Sequence, residues 1–187
     1  MNPTTRSAVF LDRDGVINRS VVKDGRPYPP QSVEELVLLP LVPEALTRLK
    51  NAGFLLIGVT NQPDVARGTQ KRRVVEDIHT ALRSKLPLDD ILTCFHDDQD
   101  GCLCRKPQAG LLLQAAEQYH IDLSSSFMVG DRWRDIEAGH NAGCRTVLID
   151  YAYAEKPPKI QPHLSVPSLF EAVDWILDQA KFKEMGT

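Results

Sequence analysis

Short apolar runs that stop abruptly at polar residues recur along this chain, with helix-patterned segments between them. Residues 8–11 end at Asp12, 54–59 at Thr60-Asn61-Gln62, 127–129 at Gly130-Asp131 and 146–149 at Asp150. Residues 90–94 form a further short run. Bounded apolar runs of this length read as buried strands. Helical spacing of apolar residues predicts helices over 40–51, 71–86, 107–120, 132–142 and 169–180. Proline at 40, 43 and 107 suits a helix start, and Gly53 and Gly143 suit helix ends. The alternation predicts an α/β fold: a Rossmann-like parallel sheet with helices on both faces. All strand ends then share one edge, where open α/β sheets bind their ligands.

At 187 residues the chain is expected to form a single domain over 1–187. Its formal net charge of −3 gives no footprint for nucleic acid or an anionic membrane. No apolar stretch reaches the ~20 residues of a membrane span. Residues 1–7 are polar and hold no signal-peptide core, so a cytoplasmic location is expected. A monomer is expected rather than an obligate oligomer. Residues 19–39, with Asp24-Gly25 and three prolines, read as an irregular loop or small hairpin that can cover the first strand end. Residues 151–167 are proline-rich and read as irregular, and 181–187 as a disordered tail.

The first strand end carries the densest chemistry, Asp12-Arg13-Asp14-Gly15. Residues i and i+2 of a strand point the same way, so both carboxylates can face one site. Paired carboxylates repel unless a cation lies between them, and a hard oxygen-liganded ion such as Mg²⁺ suits them. An Asp-x-Asp-Gly surface turn is the plainer alternative. Thr60 alone is an ordinary strand-end cap, Lys106 a solvated lysine, Gly130-Asp131 a turn and Asp135 an exposed helix residue. Together, at successive strand ends, Asp12, Asp14, Thr60, Asn61, Lys106 and Asp131 supply carboxylates, a hydroxyl, an amide and a fixed positive charge. That set suits phosphoryl transfer, which is catalysed by positioning and charge stabilisation.

Asp12-Arg13-Asp14-Gly15, Thr60-Asn61-Gln62, Lys106-Pro107 and Gly130-Asp131 with Asp135 resemble the four ordered motifs of the haloacid-dehalogenase-like phosphatases. The resemblance covers residues 9–150. It implies that Asp12 is the nucleophile that becomes an aspartyl-phosphate. It implies that Asp14 protonates the leaving oxygen and then deprotonates the attacking water. Thr60 and Lys106 would hold phosphoryl oxygens. Mg²⁺ would be bound by Asp12, the backbone carbonyl of Asp14, and Asp131, with Asp135 in or near its shell. The intervals between motifs leave no room for an inserted cap domain, so a capless member with an open site is expected.

Three of the four cysteines crowd into residues 94–104, as Cys94-Phe95-His96 and Cys102-Leu103-Cys104. In a cytosolic chain this spacing favours metal ligation over disulfides. Three thiolates and one imidazole form a common tetrahedral zinc set with no open position, so a structural Zn²⁺ is expected on Cys94, His96, Cys102 and Cys104. Its role would be to fix the loop that presents Arg105 and Lys106. Cys144 reads as a small buried apolar residue. His79, His120, His140 and His163 carry no motif and read as surface or satisfied residues.

A capless phosphatase with this cysteine loop is similar to the heptose-1,7-bisphosphate 7-phosphatases and to the histidinol-phosphate phosphatases. Ala66-Arg67-Gly68 matches the heptose-enzyme pattern, in which Arg67 would contact substrate. Arg105 and Arg132 also match basic positions there, and guanidinium groups pair well with phosphate. Pro63-Asp64 and Thr69-Gln70 depart from that pattern. The resemblance implies a Mg²⁺-dependent sugar-phosphate phosphatase, with the 7-phosphate of a heptose 1,7-bisphosphate as the first expectation. The rival classes are a histidinol-phosphate or other sugar-phosphate phosphatase, a nucleic-acid 3′-phosphatase and a non-enzymatic phospho-acceptor. The acidic balance disfavours the nucleic-acid 3′-phosphatase, and an intact Asp14 disfavours the phospho-acceptor.

Overall fold

The computed structural model describes residues 6–23 and 26–185. At its centre lies β1 (Ala8–Leu11), every residue of which is buried. Side chains of a strand leave on alternate faces. Val9 and Leu11 thus enter one apolar cluster, while Ala8 and Phe10 enter another. The chain continues through a hairpin, β2 (Val21–Lys23) and β3 (Arg26–Tyr28), then α1 (Val42–Asn51) and β4 (Leu55–Asn61). Next come α2 (Arg72–Lys85), β5 (Asp90–Cys94), α3 (Gly110–Tyr119), β6 (Phe127–Gly130) and α4 (Trp133–Ala142). β7 (Arg145–Ile149), β8 (Leu164–Val166) and α5 (Leu169–Met185) complete the fold.

The main sheet has the order β5-β4-β1-β6-β7-β8, and each of its pairings is parallel. Leu11 stands opposite Gly58 of β4 on one side and Val129 of β6 on the other. The residues that follow these three strands are thereby brought to one edge. α1, α2 and α5 cover one face through Leu46, Leu49, Ile78, Leu82, Val173 and Ile176. α3 and α4 cover the other through Leu111, Leu112, Ala115 and Ala138. Each of the leucine, isoleucine and valine side chains among these contributes about 1.5–3 kcal/mol when fully buried. Phe127 bridges Phe54 and Trp175 by edge-to-face contacts, both with centroids 5.9 Å apart. Among the described residues no helix is long and apolar enough to cross a membrane.

The predicted parallel sheet with helices on both faces is what the chain forms. Several boundaries differ. Residues 164–166, expected to be irregular, form β8 beside β7. The pairing is three residues long, too short to show as periodicity inside a proline-rich segment. The third helix begins at Gly110 rather than Pro107, because the chain first turns back so that Gly110 N donates to Leu103 O at 3.0 Å. The expected tail at 181–187 is corrected in part: α5 continues to Met185. Residues 181–185 are mostly good helix formers that prolong an established helix. Residues 186–187, and the expected Asp24-Gly25 turn, lie outside the described residues, as do the first five residues of the polar N-terminus.

Candidate active site

β1 ends one residue before Asp12, whose main-chain N–H still donates to Val129 O of β6 at 2.9 Å. That bond pins Asp12 at the mouth of the sheet, with 8% of its surface exposed. Lys106 Nζ donates to Asp12 Oδ1 at 2.8 Å and to Val59 O at 2.8 Å, and contacts Asp135 Oδ1 at 2.6 Å. A buried ammonium is costly unless paired. Here burial opposes the charge, but Asp12 and Asp135 together hold Lys106 above its ordinary range. Burial raises Asp12 to about 6 against the pull of Lys106, with Asp135 and Asp14 adding to the rise.

Asp131 follows β6 and is also buried. Neither of its carboxylate oxygens has a hydrogen bond of good geometry, although the Tyr153 hydroxyl leans toward it. Burial, then Asp12 and Asp135, push its pKa well up. Carboxylate oxygens of Asp12, Asp131 and Asp135 lie within 4.8 Å of one another. An acceptor-only group buried without a donor is an energetic fault unless a cation satisfies it. The all-oxygen, anionic donor set fits Mg²⁺. Two glycines keep the space. A Cβ on Gly15, which has φ +91°, or on Gly130 would overlap the carboxylates of Asp131 and Asp135, respectively. Asp135 is held in turn by Arg132 N, which donates to its Oδ2 at 3.0 Å.

Asp14 lines the same cleft as Asp12 but stands past the strand, in a turn. Its carboxylate is not in the cluster of Asp12, Asp131 and Asp135. Arg13 grips it through Nε at 3.1 Å to both oxygens and Nη2 at 2.8 Å to Oδ2. Asn18 Nδ2 and Gln62 Nε2 add bonds of 2.9 Å each. The Asp14 carboxylate is thus held by Arg13, Asn18 and Gln62 outside that cluster. Gln62 also donates to Thr60 Oγ1 at 2.9 Å, orienting the hydroxyl at the end of β4. Asn61 Nδ2 donates to Lys106 O, and Lys106 N donates to Asn61 Oδ1, both at 3.1 Å.

These groups open into a cleft of about 520 Å³ whose lining mixes arginines and lysines with carboxylates. Arg67, Arg105, Arg132 and Arg134 all line it. Each is tied to a carboxylate. Arg67 Nε donates to Asp97 Oδ2 at 2.9 Å, and Arg105 and Arg134 both reach Asp98 Oδ1, at 2.9 and 3.0 Å. Arg132 Nε donates to Glu155 Oε2 at 3.0 Å. Arg67 holds Asp97 at about 2, below the usual carboxylate range. Asp64 is turned toward Arg67 Nη1 at 3.4 Å rather than left as a free charge beside substrate. Ser20, Pro27, Tyr28 and Pro29, from the segment expected to cover the first strand end, border the cleft.

Cys94 ends β5, one of the two edge strands of the sheet, and meets His96, Cys102 and Cys104 within one bend. The recorded Sγ–Sγ separations are 3.2, 3.4 and 3.7 Å, and His96 Nδ1 lies 3.3 and 3.6 Å from two of the sulfurs. Zinc–sulfur bonds of about 2.3 Å in a tetrahedron put sulfurs about 3.8 Å apart. The cluster has nearly those dimensions. Arg105 Nη1 donates to His96 O at 3.3 Å, linking this bend to the cleft.

Sequence reasoning had no role for Arg13, Asn18, Gln62, Arg134 or His79. Arg13 and Gln62 lie inside the motifs, but as the spacer of Asp-x-Asp and the residue after Thr-Asn. Arg134 alternates with Arg132 at the start of α4, a pattern that was available. His79, expected to be a surface or satisfied residue, is buried with its Nε2 3.1 Å from Arg13 Nη1. Cys144 is buried as expected.

A family model described as HAD-hydrolase-like matches residues 103–172. The chain is 39% identical over 150 residues to the D-glycero-beta-D-manno-heptose-1,7-bisphosphate 7-phosphatase of Pseudomonas aeruginosa, covering 78% of this chain and 82% of the relative. The enzyme of that name from Helicobacter pylori is 36% identical over 181 residues, covering 92% of this chain and 98% of its own. Among solved structures, the D,D-heptose 1,7-bisphosphate phosphatase of B. bronchiseptica, complexed with magnesium and phosphate, superposes with a TM-score of 0.74. That pair is 30% identical, with 93% of this chain and 99% of the other covered.

Proposed function

This chain belongs to the haloacid-dehalogenase-like hydrolases as a phosphoric monoester hydrolase, and on that footing we propose that it removes the 7-phosphate of D-glycero-D-manno-heptose 1,7-bisphosphate. One arrangement carries the proposal. Three buried carboxylates converge beside a buried ammonium at the sheet edge, facing a cleft rimmed by arginines. A phosphoryl dianion needs positive charge close to a carboxylate nucleophile, and the Lys106 ammonium already touches Asp12. The relatives named for a heptose bisphosphate support the choice of sugar. The rim of Arg67, Arg105 and Arg132 supports a second phosphate on the substrate.

In the proposed reaction an Asp12 carboxylate oxygen attacks phosphorus and forms an aspartyl-phosphate as the bond to the sugar oxygen breaks. Asp14 gives that oxygen its proton. The Asp14 carboxylate then takes a proton from water, whose oxygen attacks phosphorus and frees inorganic phosphate and Asp12. Lys106 and Thr60 hold the phosphoryl oxygens, and Asn61 fixes Lys106. Asp12, the Asp14 carbonyl, Asp131 and Asp135 would hold Mg²⁺, which supplies charge neutralisation for the transferring group. Cys94, His96, Cys102 and Cys104 would hold a structural Zn²⁺ that braces the bend behind Arg105. A single phosphatase domain acting as a cytoplasmic monomer, with no nucleic-acid partner, completes the proposal.

Phosphate release with Mg²⁺ from a substrate panel tests it. The panel holds heptose 1,7-bisphosphate in both anomers, fructose 1,6-bisphosphate, sugar monophosphates and histidinol phosphate. Strong preference for one heptose anomer is expected. Broad, weak activity would overturn the substrate, with Pro63, Asp64, Thr69 and Gln70 marking another specificity. Preference for histidinol phosphate would overturn it as well.

A further inference from the structure

Arg13 is the largest fully buried side chain among the described residues, and its charge lies between a carboxylate and a histidine. Its Nε and Nη2 edge grips Asp14. Its Nη1 lies 3.1 Å from His79 Nε2, on α2, in a contact between residues 66 apart in sequence. Arginine has no acceptor, so the imidazole presents its Nε2 lone pair and carries its proton on Nδ1. Burial, followed by the Arg13 charge, takes His79 down to about 3, in keeping with a neutral ring. A guanidinium is a rigid planar fork. Anchoring Nη1 on α2 fixes the plane, and so fixes where Nε and Nη2 face.

We propose that His79 is a positioning residue for proton transfer: by docking Arg13, it sets the resting place of the Asp14 carboxylate. This rests on the reading of Asp14 as the acid and base of the reaction. Asp14 accepts N–H bonds from Arg13, Asn18 and Gln62 at once. To serve a leaving oxygen it must trade some of these bonds, and the trade depends on Arg13 staying in place. Were Nη1 unpaired, the guanidinium would swing to recover a partner and draw Asp14 with it. A buried guanidinium donor left unmade is costly.

The test uses the full chain with Mg²⁺ and variants His79→Leu and His79→Gln. Two probes are compared by kcat/KM, which reports steps up to aspartyl-phosphate formation. One is the sugar phosphate turned over fastest by the wild type. The other is p-nitrophenyl phosphate, whose leaving group departs without a proton. His79→Leu should lower kcat/KM for the sugar phosphate about tenfold and for the aryl phosphate about threefold or less, as loss of well-placed acid catalysis predicts. His79→Gln offers an acceptor to Nη1 and should restore most of the sugar-phosphate rate. If His79→Leu does not fold, His79→Thr, too short to reach Arg13, takes its place. Unchanged kinetics in folded variants would overturn the proposal. So would equal losses on both probes without rescue by glutamine, which is what a merely structural histidine would give. Asp14→Asn separates the two layers. If it is inactive on the sugar phosphate while His79 variants are normal, the positioning role fails and the acid–base role stands. If Asp14→Asn is fully active, both fail.

Discussion

Asn61 and Lys106 hold one another by two reciprocal hydrogen bonds of 3.1 Å, amide to carbonyl and N–H to amide oxygen, across 45 residues of sequence. The side chain at the end of β4 thus fixes the main chain of the residue whose ammonium meets Asp12. Asn61→Ala should lower stability by about 1–3 kcal/mol, the usual cost of a buried hydrogen bond left unmade. It should also lower kcat by about tenfold or more, since a misplaced catalytic charge loses the benefit of preorganisation. Thermal melts and steady-state kinetics check both. Asn61→Asp, which keeps only the acceptor, should fall between.

Asp12→Asn should abolish turnover while the protein stays folded. The substitution removes the nucleophilic oxygen and leaves an amide of the same shape. It also relieves one of the carboxylates crowded within 4.8 Å. The melting temperature without metal should therefore hold or rise. Circular dichroism and phosphate release decide the matter, and normal activity would sink the nucleophile assignment.

Stability should respond to magnesium in a pH-dependent way. Asp12 is raised from 3.8 to about 6, and Asp131 is raised too. The metal-free folded state therefore keeps protons that the unfolded chain has lost. That advantage is full below the unfolded value and disappears as pH climbs from 3.8 toward 6. A cation needs the carboxylates ionised. The rise in melting temperature on adding Mg²⁺ should be slight near about pH 4 and large near about pH 7. At a hundredfold excess over Kd it is worth about 2.7 kcal/mol. Asp131→Asn should shrink the gain. A gain independent of pH would refute the assignment.

Purified protein should carry tightly held zinc, one ion per chain. Cys104→Ser should lose it, lower the melting temperature and weaken kcat/KM through Arg105, whose guanidinium rests on His96 O. Elemental analysis beside a thermal melt tests this. Protein of normal stability without zinc would contradict it.

The strand ends were legible because an apolar run that stops at a carboxylate is a strong local signal, as at Leu11-Asp12. The parallel order followed from alternation. β8 was not legible, since the apolar–polar–apolar run Leu164-Ser165-Val166 is too short to declare a strand alone. The carboxylates and Lys106 could be named because their chemistry is rare at strand ends. The grip on Asp14 was hidden for a different reason. Arg13, Asn18 and Gln62 act through directions of side chains in a turn, and His79 acts through the docking of a helix 66 residues away. No spacing in the sequence records either. Asp12 and Asp14 were expected to face one site from the end of a strand, and both line the cleft, although β1 ends at Leu11 and neither residue lies within it.

The sheet order puts β1 between β4 and β6, and the groups around Asp12 come from both neighbours. Lys106 reaches it from 94 residues away. No partly folded chain that lacks either neighbour can assemble the cluster. Helices and hairpins form on local contacts and return early in refolding, whereas distant strand pairings are slow to close. Regain of phosphatase activity therefore counts completed molecules, and it should trail the recovery of helical signal.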